Sequence, residues 1–374
     1  MTISRVECWV FRAPIEVPIS TAFGTMTSRP ALFLRVSASD GAWGWGEVFC
    51  NFPQVGAEHR ARLIDNMFAG LLQGRPSDDP ARLRLALEEQ TRRVAIQCGE
   101  PGPVAQIISA VDQALWDMAA RRAGQPLWKL LSAGPAGGNR VRVYASGIGP
   151  QQVAETALRK QAEGFRAFKF KVGFTADLDR SNFAEIRAAL GVGAVIMVDA
   201  NQAWSPGEAT QRIANIAAFD PYWVEEPLAA DESTAAWLQL AADCGVPLAA
   251  GENLRGMPAF QEALAAGYLH FVQPDVAKWG GISACRDIAV LAQSHDAVFC
   301  PHWLGGGIGL AASLHLRAAL GPQGFAEVDA NPNPLREEVF SPASVDGWVT
   351  LGDAPGLGVE PDLARLARYR PSGS

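Results

Sequence analysis

The sequence predicts an α/β protein in which a (β/α)8 barrel follows an α+β region, and two observations predict it. From Val141 onward, eight short apolar runs alternate with helical stretches of ten or more residues. That rhythm means parallel pairing, and eight units close a barrel. Three of the runs also end in a carboxylate, about 26 residues apart, the length of one strand–helix unit: Asp199, Glu225 and Glu252. A doubly wound open sheet gives similar alternation. The count of eight favours the barrel.

The chain as a whole bounds the function. Its 374 residues suffice for two domains, or for a barrel with an addition, and 48% hydrophobic with 19% charged residues fits an ordinary enzyme. A net charge of −7 without Lys/Arg-rich runs excludes an electrostatic case for nucleic acid. The six cysteines are scattered, with no C-x-x-C pair, and read as free thiols in a reducing compartment. No basic region followed by an apolar stretch marks a signal peptide, and no run of 18 apolar residues spans a membrane. A cytoplasmic location is expected.

Taken in order, Val6–Phe11, Ala31–Val36 and Trp43–Phe49 are strand-like, with Ser39-Asp40-Gly41 turning between the last two. Pro14–Pro30 is too long and polar for a hairpin turn and reads as a loop, either a lid or a surface excursion. Residues 56–131 look helical; Val104–Ala120 carries Ile107, Ile108, Val111, Leu115 and Met118 at helical spacing. Gly-rich Ser132–Asn139 is the expected domain boundary. This divides the chain into 1–132, a barrel over 133–340, and a turn-rich tail over 341–374 that returns to the N-terminal domain. The barrel strands are expected at Val141–Ser146, Ala167–Val172, Val195–Asp199, Trp223–Glu225, Pro247–Gly251, Leu269–Gln273, Ala297–Cys300 and Phe325–Val328.

Barrel enzymes collect their chemistry at the carboxyl ends of the strands. Here those ends carry Lys169 and Lys171, Asp199 and Asn201, Glu225 and Glu226, Glu252, Asp275, His302 and Glu327. Carboxylates converging on one place repel one another unless a cation sits among them. All-oxygen ligation suits Mg²⁺ before Mn²⁺ and argues against Zn²⁺. In Glu225-Glu226 one side chain of a regular strand points inward, and Glu225 is taken as the ligand. Asp199 and Asn201 share a side, so one can bind metal while the other lines the pocket. Lys169 and Lys171 also share a side; each disfavours charging of the other, which permits a neutral lysine to act as a base. Two surface lysines on a solvated edge strand are the plainer reading.

Asp275 and His302 end adjacent strands about 4.8 Å apart, close enough to meet. An Asp on one imidazole nitrogen fixes the tautomer and leaves the other nitrogen to move protons. His59, His270, His295 and His315 read as structural. Gly305–Gly307 could bind phosphate through backbone N–H groups, or approach a carboxylate or a lid closely.

The chain resembles the enolase superfamily, specifically its mandelate racemase-like branch, over nearly its full length. The resemblance is carried by Ala110–Asp117 with Gly124–Leu127, Lys169-Phe170-Lys171, Asp199-Ala200-Asn201, Glu225-Glu226-Pro227 and Gly251-Glu252-Asn253. Gln273-Pro274-Asp275, Lys278–Gly281 and Pro355–Gly358 complete it. It implies a modified (β/α)8 TIM barrel with an α+β capping domain formed by the N-terminal region and the C-terminal tail. It implies Mg²⁺ on Asp199, Glu225 and Glu252, abstraction of the proton α to a carboxylate through an enediolate, and a homo-oligomer. By similarity Lys169 contacts the substrate carboxylate, Glu327 hydrogen-bonds it, and His302 with Asp275 opposes Lys171. Asp275 stands where the muconate-lactonizing branch has its second lysine, so Lys278 is not expected to be the base. The segment His302–Gly307 is similar to that of acid-sugar dehydratases of the branch.

Dehydration of an acid sugar is therefore the expected activity, with Lys171 or His302 taking the α-proton and His302 protonating the departing β-hydroxyl. Racemisation or epimerisation by the same two groups is the alternative. A binding protein that keeps the fold without the chemistry, and a phosphate-binding barrel enzyme, are the readings from other classes. Specificity is expected in Pro14–Pro30 and Cys50–Glu58. Phe23, Phe49 and Phe52, with Trp45, form either a pocket wall or core.

Overall fold

The structure is a computed structural model that describes residues 1–21, 24–132 and 137–371. Three antiparallel strands open the chain: β1 (Ile3–Thr21), β2 (Gly24–Ala38) and β3 (Trp43–Val48). The stretch expected as a loop, Pro14–Pro30, instead forms the arms of the β1/β2 hairpin, with Pro14 opposite Ser28 and Thr21 opposite Gly24. A register irregularity between Pro14 and Ile19 accommodates the prolines that read as strand breakers, as bulges and edges commonly do. Phe23 and connector residues 133–136 lie outside the described residues.

Helix Pro101–Arg122 packs on this sheet, contributing Ile107, Val111, Leu115 and Met118 to a shared core with Leu32, Leu34 and Val48, and helix Pro80–Gln97 packs against that helix. Gly44 and Gly46 permit the approach. A Cβ on Gly46 would stand 2.0 Å from the Ala110 carbonyl oxygen, and one on Gly44 would stand 1.9 Å from that of Ala114.

Eight parallel strands follow: β4 (Arg140–Ile148), β5 (Ala167–Lys171), β6 (Val195–Asp199), β7 (Val224–Glu225), β8 (Leu248–Ala250), β9 (Phe271–Val272), β10 (Val298–Phe299) and β11 (Ala326–Asp329). Seven neighbouring pairs are hydrogen-bonded, β11 pairing back onto β4. At the β10/β11 seam the Phe325 N–H donates to Cys300 Sγ at 3.3 Å. Closure is visible in the interior. One buried cluster draws Tyr144, Ala167, Met197, Trp223, Ala249, Phe271, Cys300 and Phe325, one residue from in or beside each strand. Such inward layers make a barrel a packed core rather than a pore.

After the barrel, β12 (Ser344–Val345) and β13 (Trp348–Thr350) form a hairpin whose second strand pairs antiparallel with β4. The chain then meets the helix Pro101–Arg122, where Leu357 N–H donates to Asp117 at 2.7 Å and Arg121 to the Val359 carbonyl at 2.8 Å. Asp117 also accepts from Trp45 N–H at 2.9 Å. One buried carboxylate thus ties β3, the long helix and the tail. Asp112, a helical turn earlier, accepts from Ser283 in the barrel at 2.6 and 2.9 Å. Among the described residues no helix is long and apolar enough to cross a membrane.

Candidate active site

The strand ends converge on a buried, highly charged cluster. Lys169, on β5 and 1% exposed, donates to Glu225 at 2.5 Å and lies 2.9 Å from Glu327 and 3.7 Å from Asp199. Lys171 pairs with Asp199 at 2.6 Å. Glu252 is held by Lys278 at 2.7 Å and by His302 Nε2 at 2.9 Å. His302 Nδ1 meets Asp275 at 2.6 Å, so the imidazole stands between two carboxylates.

The expected repulsion between the two lysines is present, but it does not leave either of them neutral in this arrangement. Burial acts to lower Lys171, but Asp199 outweighs both that and the repulsion from Lys169, and its pKa is raised. Lys169 is raised further, against burial, by Glu225, Glu327 and Asp199. Alternation along one strand placed the ammonium groups side by side; it could not show that the next strands give each a carboxylate partner. His302 is likewise raised well above the usual imidazole value, burial being overcome by Glu252 and Glu327.

Asn201 stands beside Asp199 as expected, but not as part of the strand. β6 ends at Asp199, and Asn201 lies in a turn with φ of 47°. From there its N–H and side-chain amide donate to Asp199 at 2.8 and 3.2 Å, so the side chain braces that carboxylate. Glu226 leaves the strand with φ of 41°, and its buried carboxylate accepts from Asn253 at 2.9 and 3.0 Å.

Asp199, Glu225 and Glu252 follow three adjacent strands. Among the described residues, no three acidic, His or Cys side chains stand as a ready-made ligand set, because lysine ammonium groups and an imidazole lie between them. The charge tally still leaves room for an ion. Six buried carboxylates (Asp199, Glu225, Glu226, Glu252, Asp275, Glu327) face Lys169, Lys171, Lys278 and protonated His302, an excess of two negative charges. That excess holds only with every carboxylate ionised. Burial, with Asp199 and Glu327 nearby, pushes Glu225 up to about 7 even with Lys169 beside it, and burial raises Glu226 well above the usual carboxylate value, so without a cation protons offset part of the charge. An oxygen-only donor set with that excess fits one hard divalent cation.

Several participants were not anticipated. Gln273 donates to Glu225 at 2.5 Å and Trp223 does so at 3.2 Å. Gln273 was findable, since it lies two residues beyond the inward-facing Phe271 on a buried strand. Ser146 hydrogen-bonds Glu327. Lys278, set aside as a base, belongs to the cluster, and its ammonium group lies 4.4 Å from the centre of the Phe49 ring.

Glu47 at the end of β3 settles what the Gly-rich segment binds. Its carboxylate accepts from Gly306 N–H at 2.6 Å and Gly309 N–H at 2.9 Å, at the start of the helix Gly307–Ala319. The acceptor at this helix N-terminus is therefore the protein's own carboxyl group, which takes the Gly306 and Gly309 N–H groups that a phosphate would need there. Trp45, beside it, is core at 1% exposure.

Burial pushes the Glu47 carboxyl up to about 8, against the pull of those N–H groups. Between the unfolded carboxyl pKa and about 8 the folded chain holds a proton that the unfolded chain has released, so this group's contribution to stability falls as pH rises through that window. Glu47→Gln removes the titration. Urea denaturation is expected to show the variant destabilised by roughly 1–3 kcal/mol near pH 5, with the deficit shrinking towards pH 8. A deficit that grows with pH would contradict this.

An open cleft of about 500 Å³, lined by Trp43, Arg121 and Glu360, lies at the tail junction.

A capped barrel with lysines, carboxylates and a His–Asp pair at its C-terminal rim is the architecture of the enolase superfamily of enzymes. Family models agree along the chain: residues 5–132 match the mandelate racemase/muconate lactonizing enzyme N-terminal domain, and residues 152–365 the enolase C-terminal domain-like family. The chain belongs to the mandelate racemase/muconate lactonizing enzyme family. It is 30% identical to a D-galactarolactone cycloisomerase of Agrobacterium fabrum, with 99% of each chain covered. It is 32% identical to a D-galactonate dehydratase of Xanthomonas euvesicatoria, with 90% of each covered. Among solved structures, a mandelate racemase/muconate lactonizing enzyme from Bordetella bronchiseptica is 48% identical, with TM-score 0.91 and 99% of each chain covered. A racemase from Streptomyces coelicolor with bound magnesium is 30% identical, with TM-score 0.88, covering 98% of this chain and 99% of that one.

Proposed function

We propose that the protein removes the proton α to the carboxylate of an acid sugar and expels the oxygen on the β-carbon, with Mg²⁺ as cofactor. Asp199, Glu225 and Glu252 would hold the ion. When bound, it supplies positive charge against the second negative charge that develops on the substrate carboxylate. Lys169, buried between Glu225 and Glu327, adds a fixed positive charge beside that position.

The observation that carries the reading is that two proton-moving groups face one acidic cluster from different sides. Lys171 ends β5 and reaches Asp199; His302 follows β10 and reaches Glu252. By the short way round, β5 and β10 are separated only by β4 and β11, so the two stand nearly across the mouth. Lys171 becomes a base once Asp199 is engaged elsewhere, since Asp199 is what holds its proton. His302, oriented by Asp275, presents Nε2 as the acid for a departing oxygen. The dehydratase and cycloisomerase names among the relatives support this class of substrate. The free thiols suit a reducing cytoplasm, and a homo-oligomer completes the reading.

Incubation with Mg²⁺ and a panel of aldonates and aldarates in D₂O tests it. A 2-keto product is expected from at least one member. Exchange of the α-hydrogen with no keto product would favour the second reading, racemisation or epimerisation by the same pair. No exchange with any acid sugar would remove both.

A further inference from the structure

Between the β1/β2 hairpin and the segment after β3 lies a cavity of about 290 Å³ whose polar lining is Arg12, Thr25, Thr27, Ser28, Asn51 and Gln54. Its walls are tied to the barrel mouth. Asn51 donates to the Leu304 carbonyl at 2.5 Å, two residues beyond His302. Arg29, between the lining residues Ser28 and Pro30, forms a buried ion pair with Asp329, two residues beyond Glu327. Phe49, two residues before Asn51, stands over the Lys278 ammonium group at 4.4 Å. The cavity thus adjoins the rim that carries His302 and Glu327, and it is the space taken here for the far end of a substrate whose carboxylate lies at Lys169.

Arg12 is the one charged residue lining the cavity among the described residues, and it is already paired. Its Nη2 donates to both Glu58 oxygens at 2.7 and 2.8 Å and to the Gln54 carbonyl at 2.8 Å, and Nη1 lies 3.4 Å from Ser28 Oγ. The guanidinium charge that would attract a second carboxylate is already matched, through Nη2, by one from the protein. A substrate carboxylate there would leave water to stand near Glu58, with no unpaired cation to receive it. Hydroxyls meet no such penalty, because Ser, Thr, Asn and Gln side chains both donate and accept hydrogen bonds.

Resting on the acid-sugar reading above, we infer that the cavity selects a monocarboxylic sugar acid, an aldonate with an uncharged hydroxylated tail, over the dicarboxylic aldarate of the same configuration, and that the Glu58–Arg12 pair enforces the choice.

The test uses matched probes differing only at the terminal carbon: gluconate with glucarate, and galactonate with galactarate. Binding to the Mg²⁺-loaded full chain is measured by calorimetry, and α-hydrogen exchange in D₂O by NMR. The aldonate of the better-bound pair is expected to bind at least tenfold more tightly than its aldarate. Glu58→Gln, which frees Arg12 without removing it, is expected to shrink or invert that ratio. Arg12→Gln combined with Glu58→Gln should abolish the aldarate's gain. Tighter aldarate binding by the unaltered chain, an unchanged ratio in Glu58→Gln, or no binding of either series overturns the inference. The proposed function fails separately: a tenfold aldonate preference with no exchange from any acid leaves the cavity's selectivity intact and removes the chemistry.

Discussion

Lys171→Met is expected to lower kcat/KM by on the order of 10³-fold while the chain stays folded, because general acid–base groups contribute about 10²–10⁴-fold. The substitution leaves Asp199 with Lys169 at 3.7 Å and the Asn201 amide, so no carboxylate is stranded. Lys169→Met makes the opposite comparison. Lys169 is 1% exposed and serves Glu225, Glu327 and Asp199 together, and breaking a buried pair costs about 3–5 kcal/mol. Urea denaturation should therefore separate the two: the first variant is inactive and near normal in stability, the second inactive and strongly destabilised. His302→Asn should stop elimination while Lys171 still exchanges the α-hydrogen with D₂O. If Lys171→Met keeps more than about a tenth of the activity, far less than general-base loss implies, Lys171 is not the base.

Removal of divalent cations is the second large effect. Stripping with a chelator should abolish turnover, and Mg²⁺ should restore it. The cluster carries two more negative than positive charges when every carboxylate is ionised and His302 is protonated. A divalent ion should therefore stabilise the fold as well as the reaction, by about 2.7 kcal/mol at a hundred times its dissociation constant. Glu225→Gln is expected to lose both the stabilisation and the activity. A chelated protein whose melting temperature and rate match the Mg²⁺-loaded form would contradict the assignment.

Much of this site was legible in the sequence because buried parallel strands advertise themselves. Val195–Asp199 is apolar up to a terminal acid, and strand β6 has those bounds. The pairing of Asp275 with His302 followed from strand adjacency alone, and the two form a parallel bridge at that point. Sequence reasoning failed where the controlling partner was remote. Pro14–Pro30 looked like a loop because prolines break ladders; the bulge between Pro14 and Ile19 is a property of the pairing, not of either segment. Glu47 lies 259 residues from the Gly306 N–H it binds, with no local signal. Asn201 stays beside Asp199, as alternation implied, but it does so from a turn with φ of 47° that the strand pattern does not describe.

The central claim is that Asp199, Glu225 and Glu252 share one divalent ion between Lys171 and His302. A crystal structure of the Mn²⁺-soaked protein, phased on the metal's anomalous signal, tests it most directly. A single strong peak is predicted, within about 2.0–2.3 Å of an oxygen from each of the three carboxylates, with Lys171 Nζ and His302 Nε2 facing the open coordination positions. No peak at the strand ends, or a peak touching fewer than two of these carboxylates, would contradict it.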